Sequence, residues 1–422
     1  MSNWDYVMSG MAYTIFRRQT FEDQVLVEKL RSMMTKMNSF LPGHNMCVLF
    51  NGYQEKNLGE MLHKIFDNTT EYYVDSGGLQ MVTLGIDITQ AQKREIYQTQ
   101  GTMGNFCMSF DEIPVKLLSE RSTFHDTSSR LFDVERFDEC ARLSGQNLKD
   151  QILYFKEMGS DAKPFLIVQG NDFSYYQRWT DLVLEEVGHE LWDHIGGLSV
   201  GAAALGQGEF QDYKRAFFAS ALEMPSHIKE HIHLLGVGAV KRLAPMVALK
   251  HGGHFNGAKI SYDSTTHTSG LSMMQYQMGN RLSTFKYGML KEFPVVSDDI
   301  CAFARNTFDV ELDPEYLKST YLDNRETYFS KYTENREADF QIAKFCTLFA
   351  SVKNFMVALD HIDRNFEGLY DVVGHKNYGR ALSFSKIKDE QDFNEWCKYN
   401  ENGLRSKGVT SSQNVTSLED LF

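Results

Sequence analysis

The feature that most constrains this chain is an alternation: short apolar, β-rich runs are separated by longer amphipathic stretches. The runs are MCVLFNG (46–52), EYYVDSGG (71–78), NFCMSFDE (105–112), PFLIVQG (164–170), HIGGLSVG (194–201), IHLLGVG (232–238) and AKISYD (258–263). Helical patterns such as LKDQILYFKEMG, YYQRWTDLVLEEVG and VKRLAPMVALKHG lie between most of them. Strands alternating with helices build βα units around a parallel sheet. Seven such runs, with an eighth strand expected near SMMQYQMG, predict an α/β fold, a (β/α)8 TIM barrel.

Past residue 300 the pattern turns to helical stretches rich in charge and aromatics. The expected division is a barrel domain over 1–300, a helical C-terminal subdomain over 301–404, and a polar, disordered tail over 405–422 whose LEDLF could serve as a small docking motif. A chain of 422 residues has room for one large core with such an appendage. No run approaches the roughly 18 consecutive apolar residues of a membrane helix. MSNWDYVMSG lacks a basic segment followed by an apolar one, so a cytoplasmic protein with no membrane partner is expected. The six cysteines, Cys47, Cys107, Cys140, Cys301, Cys346 and Cys397, are scattered without CxxC or CxC. That spacing argues against a disulfide framework and against a sequence-local zinc knuckle.

A net charge of −13 counts against nucleic-acid binding unless local patches supply Lys and Arg. Candidate patches are Arg17 with Arg18, then Lys241, Arg242 and Lys250, then Arg281, Lys286 and Lys291. For any one of them an ordinary solvated face is the commoner meaning.

The polar and glycine residues fall in a telling place. Asp75, Asp111, Gln169, the pair Gly196 and Gly197, Gly236 and Asp263 are each expected to close the C-terminal end of a different strand. In a barrel those ends converge on the face that carries chemistry. Alone, Asp75 in Asp-Ser-Gly-Gly reads as a turn former or helix cap. Beside it Ser76, Gly77 and Gly78 offer little bulk, so a flat ligand could approach the backbone closely. Asp263, in ISYDST, is a second acid on the same face. Two converging carboxylates without a metal cluster suit glycosidic chemistry, one as nucleophile and one as acid/base. Asp111 and Gln169 could match the donors and acceptors of a purine edge.

Other templates fit less well. There is no GxSxG elbow, P-loop or true GxGxxG; GVGAVK and GLSVGAAALGQG only approximate the last. His231 and His233 alternate along a strand, and His251 and His254 are close in sequence, but none has acid or cysteine partners at ligand spacing. All four read better as core or surface histidines. Lys259 and Ser261 share the parity of Asp263 and receive no role.

VDSGGLQMVTLG, MSFDEIP, LIVQG, IGGLSVG, LLGVG and ISYDS resemble, in that order within residues 46–270, the sequence blocks of the tRNA-guanine transglycosylases. That family is a (β/α)8 barrel that exchanges guanine in a nucleic acid for a 7-deazaguanine base. Within it, the chain is most similar to the phage and bacterial branch that modifies DNA. The resemblance implies Asp263 as nucleophile and Asp75 as general acid/base, with Asp111 and Gln169 reading the base. It implies a Gly197 backbone contact to the purine oxygen, after Gly196, with Leu198 and Ser199 near the 7-substituent. Leu79 and Leu235, the latter before Gly236, would sandwich the base by dispersion.

The departures from the family pattern also carry expectations. GGLSVGA has Ala202 where a glutamate serves a cationic substituent, which implies a neutral incoming base, 7-cyano-7-deazaguanine. DSTTHTSGLSMMQ lacks the proline-threonine-arginine segment that contacts tRNA, and the CxCxxC zinc subdomain is replaced by DDICAFARNTF around Cys301. No cofactor is therefore implied, with zinc left open. The expected partners are DNA, guanine, the 7-deazaguanine base and other DNA-modification proteins, for a bacteriophage protein acting in the host cytoplasm, where such a modification would resist restriction. A tRNA enzyme with a degenerate zinc subdomain, a non-catalytic transglycosylase-like subunit and an unrelated barrel hydrolase stay open as alternatives. So does the oligomeric state.

Overall fold

The computed structural model describes residues 3–78, 88–119, 129–201, 210–273, 275–277, 285–286, 293–314, 317 and 337–405. Eight parallel strands close into a barrel: β1 (Trp4–Met8), β2 (His44–Asn51), β3 (Tyr72–Asp75), β4 (Phe106–Met108), β5 (Lys163–Val168), β6 (Gly197–Val200), β7 (His231–Leu234) and β8 (Lys259–Ser264). Each strand pairs with its neighbour in sequence, and β1 closes the ring against β8 with Asp5 opposite Ser261 and Val7 opposite Asp263.

Strand parity divides the side chains into two populations. Tyr6, Val48, Val74, Leu166, Leu198, Ile232 and Tyr262 face outward into the core shared with the helices. Val7, Cys47, Tyr73, Phe106, Met108, Phe165 and Ile167 fill the barrel interior, with Leu49 and Leu235 packed against them. Around the strands run α1 (Gln24–Asn38), α2 (Lys56–Phe66), α3 (Gln90–Met103), α4 (Phe137–Met158), α5 (Phe173–Val187), α6 (Gln211–Ala221) and α7 (Val240–His251), followed by α8 (Thr266–Met273) and α9 (Phe293–Phe303). Asp23 and Asp172 cap α1 and α5 by accepting backbone N–H groups, and Thr89 with Gln92 forms a capping box on α3.

The expected eighth strand was misplaced. Gln275–Tyr276, from SMMQYQMG, pairs antiparallel with Phe285–Lys286 outside the barrel, and β1 supplies the missing strand. All of WDYVM is buried, including Asp5. An acid within so short a run hides a strand that the closed ring covers on both sides.

The C-terminal region is helical: α10 (Glu337–Arg364), α11 (Leu369–Phe384) and α12 (Glu390–Arg405). Helix α10 packs against both α1 and α7 and so stands where a barrel's eighth helix would. It is long and apolar enough to cross a bilayer, but 83% of its most apolar window is buried inside the protein. Phe393 of α12 stacks on Phe217 of α6 at 4.3 Å, and Trp396 packs on Tyr213. Residues 405–422, apart from Arg405, lie outside the described residues.

Candidate active site at the C-terminal face of the barrel

Asp75 is the last residue of β3, Gln169 follows β5 directly, and Asp263 lies near the end of β8. Asp111 stands in the loop after β4, three residues beyond Met108. Helix side chains hold these strand ends by their carbonyls. Gln100 of α3 donates Nε2 to the carbonyls of Val74 (3.2 Å) and Met108 (2.8 Å), and Gln151 of α4 donates to Gln100 Oε1 (2.7 Å). Asn147 and Ser144 of α4 bind the Phe110 carbonyl (3.1 Å) and the Glu112 N–H (2.8 Å), fixing both neighbours of Asp111. Arg215 of α6, 1% exposed, donates Nη2 to the carbonyls of Val200 (2.8 Å) and Leu235 (2.7 Å). Burial lowers the Arg215 pKa, against the pull of Asp212.

The Ser-Gly-Gly segment brings two acids together. Gly77 has φ +83°, which disfavours a side chain, and a Cβ there would lie 2.9 Å from the Asn51 amide. A Cβ on Gly78 would lie 3.1 Å from Asp111 Oδ1. Ser76 is buried and its Oγ accepts the Gly78 N–H at 3.4 Å. Burial, followed by the charges of Asp111 and Asp263, raises the Asp75 pKa to about 7, although the Gly77 and Ser76 N–H groups pull the other way. Asp111 is raised to about 6 by burial, offset in part by Gln169, whose Nε2 donates to Asp111 Oδ2 at 2.8 Å.

Asp263 behaves in the opposite sense. Burial alone would raise it, but His233, the Gly236 N–H and Arg215 outweigh burial and hold it below its ordinary value. The Gly236 N–H donates to Asp263 Oδ1 at 2.7 Å, and His233 Nε2 lies 3.4 Å from the same oxygen. Gly236 reaches that geometry with φ +68°. Three acids on one face thus split into one anion and two carboxyls poised near neutrality, the pattern expected where environments push acid and base apart.

Several buried polar atoms here have no hydrogen-bond partner among the described residues: Gln169 Oε1, Ser199 Oγ, Asn51 Nδ2 and His233 Nε2, on residues 2%, 0%, 5% and 0% exposed. Unpartnered groups of this kind are costly unless a ligand or water meets them.

The structure redistributes other sequence candidates. Gly196 and Gly197 do not close a strand: Gly197 opens β6 at the opposite face of the barrel. A Cβ on Gly196 would lie 2.3 Å from Lys163 Cβ, and one on Gly197 would lie 2.6 Å from Phe165 Cζ, so packing against the start of β5 accounts for both glycines. Gly201, which follows β6, is the glycine at the acidic face, where a Cβ would lie 2.4 Å from Gln169 Nε2. Leu198 turns its side chain into the outer core, while Ser199, Leu235 and Gly236 remain with the site. Leu79, Ala202, Arg281 and Lys291 lie outside the described residues, as does the side chain of Lys286.

Two candidate basic patches are engaged within the protein. Arg17 pairs with Glu337, Arg242 with Asp212 (3.0 Å), and Lys250 with Asp363 (2.8 Å). Cys301 is buried in the core. Among the described residues, those that could gather a metal are Asp5, Cys47 and Glu71, with ligand atoms within 4.8 Å of one another at the far end of the barrel, yet Lys259 Nζ already sits 2.6 Å from Asp5 and 2.7 Å from Glu71. A recess of about 650 Å³ opens at that end, lined by Asn45, Glu71, Asn105 and Lys259 among others.

Fold and site together define an α/β barrel with a carboxylate cluster at its C-terminal face. No family model and no curated protein matches the chain.

Proposed function

We propose that the protein is a guanine transglycosylase of the tRNA-guanine transglycosylase superfamily, exchanging guanine in DNA for a 7-deazaguanine base. The observation that supports this most is the split of the acids: Asp263 is held anionic while Asp75, close enough to feel its charge, sits at about 7. A double displacement at an anomeric carbon needs that division of labour.

In the first half, Asp263 attacks C1′ of a deoxyguanosine extruded from the stack. The C1′–N9 bond breaks, its electron pair goes to guanine, and Asp75 delivers a proton to the departing base. In the second half the incoming base gives its ring N–H proton to Asp75, its nitrogen attacks C1′, and the ester to Asp263 breaks. Configuration is retained, and neither redox chemistry nor phosphodiester cleavage occurs. The Gly236 N–H donates to Oδ1 and His233 approaches the same oxygen, so Oδ2, which meets no hydrogen-bond partner among the described residues, is the attacking oxygen. Asp111 and Gln169 form the edge that reads the purine, with Gln169 Oε1 and Ser199 Oγ left to meet it.

DNA is preferred to tRNA because the tRNA-contacting arginine segment and the zinc motif are missing from the sequence. Arg17, Arg242 and Lys250 are bound by acids, so the phosphate contacts are assigned to Arg281, Lys286 and Lys291. The test offers the protein labelled guanine, then 7-cyano-7-deazaguanine, with double-stranded DNA, single-stranded DNA and tRNA. Incorporation into DNA is expected; incorporation into tRNA alone would assign the exchange to tRNA. Asp263→Ala should abolish both exchange and a trapped protein–DNA adduct, and an adduct that persists would remove Asp263 as nucleophile.

A further inference from the structure

A line of buried polar groups runs through the barrel interior and ends on Asp263. Lys259 Nζ contacts Asp5 Oδ2 (2.6 Å), and Asp5 Oδ2 also accepts from the Tyr73 hydroxyl (3.1 Å). Tyr73 Oη lies 3.1 Å from His231 Nε2, which lies 3.0 Å from Ser261 Oγ. Ser261 Oγ lies 2.9 Å from His233 Nδ1, and His233 Nε2 lies 3.4 Å from Asp263 Oδ1. Asp5, Tyr73, Ser261 and His233 are each fully buried. The His233 ring stacks on Tyr73 at 5.4 Å, which fixes its plane.

One order of donors and acceptors satisfies every contact in the line, with the Ile232 carbonyl, 3.5 Å from Ser261 Oγ, the longer alternative acceptor for that hydroxyl. The carboxylate of Asp5 only accepts, so the Tyr73 O–H is committed to it and Tyr73 Oη accepts in turn. Burial lowers the His231 pKa, so His231 is neutral, and its Nε2, facing two oxygens, carries the hydrogen. Ser261 Oγ then accepts from His231 and turns its own O–H to His233 Nδ1. In that order His233 Nδ1 is an acceptor and its proton rests on Nε2, 3.4 Å from Asp263 Oδ1, an electrostatic contact that closes to a hydrogen bond with a small turn of either side chain.

We propose that His233 is a positioning residue for the nucleophile, fixed as the Nε2–H tautomer by the Ser261–His231–Tyr73–Asp5 relay, and that it speeds release of the covalent intermediate. This rests on the transglycosylase reading. Asp263 is a carboxylate when it leaves C1′ and an ester while it is attached, so a donor on Oδ1 stabilises the leaving carboxylate more than the ester. The same donor keeps Oδ2 turned toward the substrate.

The relay is tested with Ser261→Ala, which removes the hydroxyl that dictates the tautomer. In protein carrying ring-¹⁵N histidine, two-bond ¹H–¹⁵N spectra should show wild-type His233 as Nε2–H, with the resonance assigned by its loss in His233→Gln. In Ser261→Ala that tautomer should lose its dominance and the lifetime of the trapped adduct should lengthen about tenfold, the worth of one buried hydrogen bond. His233→Gln, which retains an amide donor, should resolve its adduct faster than His233→Leu. If Ser261→Ala does not fold, Tyr73→Phe breaks the next link and should shift the tautomer in the same direction. An unchanged tautomer and an unchanged adduct lifetime in a folded variant would overturn the inference. If wild-type protein forms no adduct with DNA or tRNA, the exchange reading fails by itself, and the tautomer in Ser261→Ala still decides the relay.

Discussion

Two sets of acids occupy the two ends of one barrel, with opposite fates. At the N-terminal end Asp5 and Glu71 meet Lys259 at 2.6 and 2.7 Å. At the C-terminal end Asp75 and Asp111 lean on each other and on amides, with no lysine or arginine pairing either carboxylate among the contacts described. Glu71 and Asp75 lie four residues apart around β3, and Lys259 and Asp263 are likewise four apart on β8. A compensated acid binds the barrel together; acids raised by burial and by one another hold protons that can be moved.

The sharpest way to break this comparison is to neutralise the poised end. Asp75→Asn keeps the shape and removes the exchangeable proton, so base exchange should fall by about 10²- to 10⁴-fold, mainly in kcat. Steady-state rates on whichever nucleic acid accepts the base in the proposed exchange assay provide the measurement. A loss confined to KM would make Asp75 a binding group and erase the difference between the two ends.

The compensated end should respond in stability instead. Lys259→Met leaves Asp5 buried and unmatched, at a cost of about 3 kcal/mol in urea unfolding. Glu71→Gln should cost less, because the Glu71 side chain is 43% exposed and Asp5 would still hold the lysine. Equal losses from the two variants would mean that Asp5 is not the buried member of the pair.

How much of this contrast was legible in the chain depends on the kind of signal each residue gives. Asp75, Asp111, Gln169 and Asp263 stood out because an acid or amide after an apolar run is conspicuous, and the barrel brings those positions to one face. Gly196 and Gly197 were assigned to the wrong end because a strand's first residue cannot be read from an apolar run that extends past it. Asp5 was invisible for the converse reason, since its strand is short and its partners Tyr73 and Lys259 are distant in sequence. His233 carried a usable signal: it has the parity of Leu235 on β7, as Ser261 has that of Asp263 on β8. What the sequence lacked was register, and β7 and β8 place Ser261 opposite His233. Arg215 and Gln100 serve the site from helices, where nothing in their local pattern separates a carbonyl clamp from an ordinary polar residue.

The smallest predicted effect tests the poised end without reference to substrate. Asp75 has a folded pKa of about 7, against an ordinary value of 3.8. Below about pH 4 the carboxyl is protonated both folded and unfolded, and its titration contributes no difference. Between about pH 4 and 7 the unfolded chain releases the proton while the folded protein retains it, so wild-type stability declines as pH rises, and above about 7 the penalty is constant. Asp75→Asn removes that penalty. The stability of the variant relative to wild type should therefore rise across the pH 4–7 window and then level, by about 1–2 kcal/mol once partial contact with water is allowed for. Urea unfolding at pH 4, 6 and 8 resolves this. A relative stability that stays flat across the three pH values would place Asp75 among ordinary carboxylates, and the two ends of the barrel would then differ in partners but not in protonation.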